Sequence, residues 1–222
     1  MKKHILIAVS FLFAIALSAQ NERYTAAMQK GITILDTARN TNTFLQTANH
    51  FERIANAEKQ AWLPNYYVAY CNMMVATGLM QEEKVEQCGA YLDKAQTALD
   101  AAKTLASEES DIYALQGYIY QGRIWDNPMA NGAKYSPMSH AALDKAIAIN
   151  DQNPRPYYLK GQNVLFTPVF YGGGSKNAMP LLQKAAEKFA AYQAPSPLHP
   201  NWGAGANKWM IHHAEKSMKE GN

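Results

Sequence analysis

Residues 142–161 read ALDKAIAINDQNPRPYYLKG, and residues 98–117, forty-four positions earlier, read ALDAAKTLASEESDIYALQG. Aligned without a gap, the stretches share Ala, Leu, Asp, Ala, Tyr, Leu and Gly at seven of twenty positions. Each copy reads as the end of one helix, a turn and the start of the next. In the later copy Leu143, Ala146 and Ile147 share a helical face, and Tyr157, Gly161 and Val164 resume that spacing beyond the turn. The earlier copy has Leu99 and Ala102, then Tyr113, Gly117 and Tyr120. An aromatic four residues before a glycine has a packing logic: the glycine admits a close neighbouring helix, and the ring fills the space beside it. A helix hairpin of this kind cannot bury its apolar face alone, so stacked copies bury it together.

Outward from the repeat, the chain shows no alternating strand pattern. Segments rich in Ala, Leu, Lys, Glu and Gln are interrupted by Pro, Gly and Asn. The spacing predicts helices near 22–39, 42–59, 62–80, 83–105, 110–124, 137–150, 154–167, 176–192 and 203–219. Pro64 fits a first turn, where its missing N–H has no partner to lose. Asn153-Pro154 ends one helix and begins another, because the residue before proline avoids the α region. Gly172-Gly173-Gly174 breaks the next.

The run from Lys145 to Gly161 resembles the tetratricopeptide repeat, in which an Ala-aliphatic helix end passes through a turn into an aromatic and then a glycine. Lys103–Tyr120 is a looser copy and Phe51–Tyr70 a degenerate one, with Ala69 in the glycine's place. The spacing departs from the family: units beginning near Trp62, Ser110 and Pro154 are 48 and 44 residues apart, against roughly 34 in the family. The turn also lacks the family's usual proline. The resemblance implies a right-handed superhelix of helix hairpins that binds proteins or peptides. We therefore expect an all-α, tetratricopeptide-like solenoid of about four hairpins plus a C-terminal capping helix. The extra length falls in two within-hairpin connections, 126–136 and 167–175, expected as long loops on one rim.

The first nineteen residues read as a secretory signal peptide: basic Lys2-Lys3, an apolar run from Ile5 to Leu17, and small residues at Ser18-Ala19. A cut after Ala16 is the alternative to one after Ala19. The run is too short to span a bilayer, and no cysteine stands at either junction. The expectation is an exported protein, periplasmic or secreted and soluble, with residues 20–222 forming one helical repeat domain. Losing Lys2 and Lys3 leaves 19 basic against 18 acidic residues. Such a near-neutral chain has no electrostatic footprint for nucleic acid or an anionic membrane.

Candidate chemistry is sparse. Gly172-Gly173-Gly174-Ser175-Lys176 lacks the phosphate-loop order and follows no strand, so a helix–helix turn is the preferred reading. Cys71 and Cys88 flank one turn at similar distances; two buried thiols are favoured over a disulfide. His212 and His213, as helix neighbours, point apart and make poor joint metal ligands. Trp202, Ala206, Trp209 and His213 form a stripe expected to dock the last helix as a cap. No catalytic constellation is recognisable, and no metal or cofactor is expected.

The tyrosines carry more. Tyr113, Gly117 and Tyr120 form the inward stripe, and one position over run Asp111, Tyr118 and Gln121, then Arg155, Tyr158 and Gln162, with Tyr66 and Tyr70 in the preceding unit. These match the groove-lining positions of the resembling family, and Tyr with Arg and Gln is an interface-like mixture. Tyr66 and Tyr70 read equally well as fillers between helices. The expected function is non-catalytic: a scaffold holding a peptide or protein segment on an aromatic concave face, partly exposed, with Tyr113, Tyr120 and Tyr157 buried. The alternative is a glycan or small-molecule binder, or an enzyme, with its site on the rim loops 126–136 and 167–175.

Overall fold

The computed structural model describes residues 21–220, and the expected signal segment at 1–19 lies outside them. Helix α1 covers 21–37. It is followed by α2 (Thr41–Ala57), α3 (Trp62–Gln81), α4 (Cys88–Leu105), α5 (Ser110–Gly122), α6 (Pro128–Ile149), α7 (Arg155–Phe166), α8 (Ser175–Ala191) and α9 (Ala204–Lys219). Single 3-10 turns at Val85–Gln87 and Val169–Tyr171 precede α4 and α8. There is no strand among the described residues. The fold is an all-α superhelix of four successive hairpins closed by α9.

Local chemistry accounts for the helix starts. Asn40 accepts a hydrogen bond from the Thr43 N–H at 2.9 Å, capping α2. Asn127 does the same for Ala130 at 3.1 Å, and Pro128 supplies the first turn of α6. That cap corrects the sequence expectation for 126–136. Rather than a rim loop, this stretch is the opening of α6, which runs through Pro137 without breaking. A β-carbon on Gly132 would meet nothing within 4 Å, so this glycine neither ends the helix nor admits a neighbour. Residues 167–174 are irregular apart from one 3-10 turn, close to the expected 167–175, and α8 begins at Ser175.

The first helices of successive hairpins, α3, α5 and α7, pack side by side as an inner layer. Each outer helix, α4, α6 or α8, rests on its own hairpin partner and on the helix that follows. One contiguous set of buried side chains runs from Met28 to Ala214. Helix α3 is buried nearly all round, from Tyr66 and Tyr67 through Cys71 and Met73 to Val75, because other segments surround it. Cys71 and Cys88 are both buried and unbonded, with the Cys88 thiol 3.2 Å from the Ala76 carbonyl. Burial raises the pKa of each thiol.

The repeat glycines stand where the helices touch. A β-carbon on Gly117 would lie 2.6 Å from the Leu143 side chain, and one on Gly161 would lie 2.5 Å from Leu182 and 3.3 Å from its backbone nitrogen. Gly117 thus joins α5 to α6, and Gly161 joins α7 to α8. Gly161→Leu is expected to lower stability by about 1–3 kcal/mol through overpacking. A melting temperature equal to wild type would show the α7–α8 joint to be looser than these distances imply.

Candidate functional site

Helices α3, α5 and α7 bring most of the expected groove residues, Gln121 excepted, to one hollow, but that hollow is full. The chain leaves α8 and runs without helix through residues 192–203 across the inner layer before entering α9. Trp202 inserts between the tyrosines. Its ring stacks on Tyr70 at 5.0 Å and Tyr118 at 6.3 Å, and its indole N–H donates to the Tyr66 hydroxyl at 2.9 Å. Tyr67 donates to the Leu198 carbonyl at 2.9 Å, and Arg155 donates to the Pro200 carbonyl. The guanidinium also lies over the rings of Tyr192 and Trp202, at 4.8 and 5.5 Å.

The predicted site residues are therefore interior. Tyr66, Tyr70, Asp111, Tyr118, Gln121, Arg155 and Tyr158 are all buried, and Gln162 is half-buried beside the Tyr118 phenol. Asp111 and Arg155 occupy equivalent places in the two repeat copies and pair across α5 and α7 at 3.0 Å. Asn153 donates to Asp111 at 2.8 Å and accepts from Arg155 at 3.1 Å. Burial works against the Arg155 charge, but the Asp111 carboxylate beside it more than restores it. Gln121 turns away from the hollow and ties α5 to the Leu159 carbonyl at 2.9 Å. Burial raises the pKa of the Tyr66, Tyr70, Tyr118 and Tyr158 phenols, so they remain protonated.

The stripe expected to be buried is the more open one. Tyr113, Tyr120 and Tyr157 are only half-buried. Tyr113 lies under Lys103 and Lys145, and Tyr157 under Lys188, at 5.0 to 5.6 Å. Helix geometry separated the two stripes correctly. Their environments are exchanged because residues 192–203 cover one and nothing comparable covers the other.

The exposed aromatic surface lies elsewhere. Phe166 ends α7, and beyond it Val169, Phe170 and Tyr171 project from the 167–175 loop, with Phe170 91% exposed. The backbone beneath them is closely tied. Gly172, Gly173 and Gly174 donate to the carbonyls of Val169, Pro168 and Val164 at 2.9 to 3.2 Å, and the Asn177 amide donates to the carbonyls of Gly172 and Gly173. Those N–H groups are thus engaged internally, which supports the turn reading over a phosphate cradle. Gly172 and Gly174 have φ of 82° and 92°, the left-handed region that glycine enters without strain.

Helix α9 completes this surface. It docks through Asn207, Met210 and Ala214, with Asn207 donating to the Leu182 carbonyl at 3.0 Å. The expected docking stripe, Trp202, Ala206, Trp209 and His213, is displaced by one helical position. The helix starts only at Ala204, so Trp202 belongs to the segment before it, and Ala206, Trp209 and His213 face outward. Trp209, 56% exposed, stacks on His213 at 5.2 Å, and Phe166 lies 6.4 Å from the same imidazole. A ring series from α7 to α9 therefore stands on the surface beside the loop. Among the described residues, no group of three or more His, Cys, Asp or Glu is arranged to hold a metal, and no helix is long and apolar enough to cross a membrane.

No protein-family model and no curated protein matches the chain. Among solved structures it is similar to the HusA haemophore from Porphyromonas gingivalis, with a TM-score of 0.75 and 28% sequence identity. The match covers 87% of this chain and 94% of that one.

Proposed function

We propose that this chain is an exported, non-catalytic carrier that takes a planar, largely apolar ligand of the porphyrin class on the surface formed by Phe166, Phe170, Tyr171, Trp209 and His213. The observation that carries the reading is a firmly tied loop that exposes three consecutive apolar side chains, Val169, Phe170 and Tyr171, beside an exposed ring stack. Exposed apolar side chains that stand together rather than singly are the kind of surface that binds a ligand or partner. Aromatic rings at stacking distance suit a flat macrocycle, which buries area on both partners. The likeness to a haemophore supports the ligand class. Haem is the first candidate, and His213 is the imidazole that shares the surface.

A peptide on the concave face, the mode implied by the tetratricopeptide resemblance, is the second reading. It is favoured by the way that face already holds a non-helical segment of its own chain.

Titration of the mature protein with haem and with a metal-free porphyrin, followed by Soret absorbance and tryptophan fluorescence, tests the first reading. Phe170→Ala with Trp209→Ala is expected to weaken binding by about 30-fold or more, the scale of a lost aromatic anchor. The melting temperature should hold, because both side chains are exposed. Full affinity in the double variant would move the site elsewhere, and a wild type that binds glycans but no porphyrin would change the ligand class. The metal-free arm reads whether His213 contributes through iron.

A further inference from the structure

We infer that residues 192–203 are a latch: they hold shut a peptide-binding face, and a non-helical protein segment bearing proline and tryptophan opens it by taking their place, freeing α9. The effect on the carrier surface rests on the proposed porphyrin site, whereas the exchange itself does not.

The contacts that hold the segment are those a bound peptide makes. Two backbone carbonyls, of Leu198 and Pro200, accept from Tyr67 and Arg155, and one indole is clasped by Tyr66, Tyr70 and Tyr118. None of them depends on covalent continuity with α8 or α9. Elsewhere the segment is partly engaged: His199 meets the Trp62 ring edge-on and Asn201 donates to Asp36 at 3.4 Å, whereas Gln193, Ala194, Pro195 and Pro197 are exposed. A cavity of about 290 Å³ remains between it, α1 and α3, lined by Ile32, Leu35, Tyr67, Tyr70 and Trp202 among others. Pro195, Pro197 and Pro200 narrow the conformations open to the free segment around the hydrogen-bonded turn at Ser196–His199, which lowers the entropy lost on docking and would do the same for a competing peptide of like composition.

The link to α9 is direct. Trp202 is joined to α9 through Gly203, whose φ is 111° and whose β-carbon, if present, would stand 2.7 Å from Phe189. Beyond Gly203, α9 holds to the body of the protein through Asn207, Met210 and Ala214, with Ile211 packed beside them. Trp209 and His213 ride on α9, while Phe166 belongs to α7. Loss of the Trp202 anchor therefore loosens one half of the ring series against the other.

The test uses the mature chain and a synthetic peptide of residues 194–205, APSPLHPNWGAG, with a scrambled control. In the wild type the tethered segment competes at high effective concentration. The peptide is accordingly expected to bind Trp202→Ala at least tenfold tighter than wild type, and the scrambled peptide neither. Amides of α9 in Trp202→Ala should exchange hydrogen at least tenfold faster than in wild type, with α3 amides unchanged. Should Trp202→Ala fail to fold, Trp202→Phe, which takes the indole N–H from the tethered segment and leaves the Tyr66 hydroxyl free to accept from the peptide, is read the same way. A folded variant that ignores the peptide, or unchanged α9 exchange, overturns the latch. These measurements contain no porphyrin, so failure of the carrier reading would leave them standing.

Discussion

Replacing Arg155 with leucine is expected to destabilise the protein by about 3–5 kcal/mol in urea unfolding at neutral pH, the cost of stranding one member of a buried ion pair. Arg155 is fully buried, and Asp111, its partner at 3.0 Å, is nearly so. The substitution leaves the Asp111 carboxylate with Asn153 as its remaining hydrogen-bond donor and removes the donor to the Pro200 carbonyl. It also removes the cation between the Tyr192 and Trp202 rings. The double replacement Asp111→Leu with Arg155→Met should recover much of the loss, because a buried pair exchanged for apolar residues is often neutral. A single variant as stable as wild type would mean that water reaches the Asp111 carboxylate.

Truncating Tyr158 to alanine should cost about 3–5 kcal/mol, as for other fully packed aromatics. Truncating Tyr113 should cost about 1 kcal/mol, near the centre of the range for ordinary substitutions. Tyr158 is 4% exposed and sits where α7 meets the 192–203 segment, close to the position a Gly203 side chain would take. Tyr113 is half-buried, donates to the Ser107 carbonyl at 3.0 Å and otherwise lies under lysine side chains. Thermal or urea unfolding of the two variants side by side checks the order. Equal losses would mean that the cover over the concave face contributes nothing to packing. Sequence spacing alone leads to the opposite ranking, because Tyr113 lies on the repeat's aromatic-to-glycine stripe.

Legibility from sequence followed the range of the interactions involved. Helix positions were readable because the signals are local: the Asn153-Pro154 break, the Gly172–Gly174 break and the apolar spacing each act within a few residues. The opening of α6 was missed although its signal is local too. Asn127-Pro128 is a cap and first turn, and Gly132 and Pro137 obscured it.

The candidate surface was half visible. Residues 167–175 stood out as an irregular insertion, but the outward face of Trp209 and His213 did not. That face depends on the helix starting at Ala204, after Trp202 has been drawn into the concave layer.

The amino-acid sequence by itself determined the hairpin repeat, the close joints at Gly117 and Gly161, and the separation of two tyrosine stripes one residue apart. Those properties follow from periodicity and side-chain volume along a single helix or between chain neighbours. Only the tertiary structure decided which stripe is covered. Residues 198–202 meet residues 66–70 across more than 130 positions of chain, and no local spacing encodes a contact of that range. Trp202 reads equally as a cap or as an anchor until the shape of the concave layer selects one.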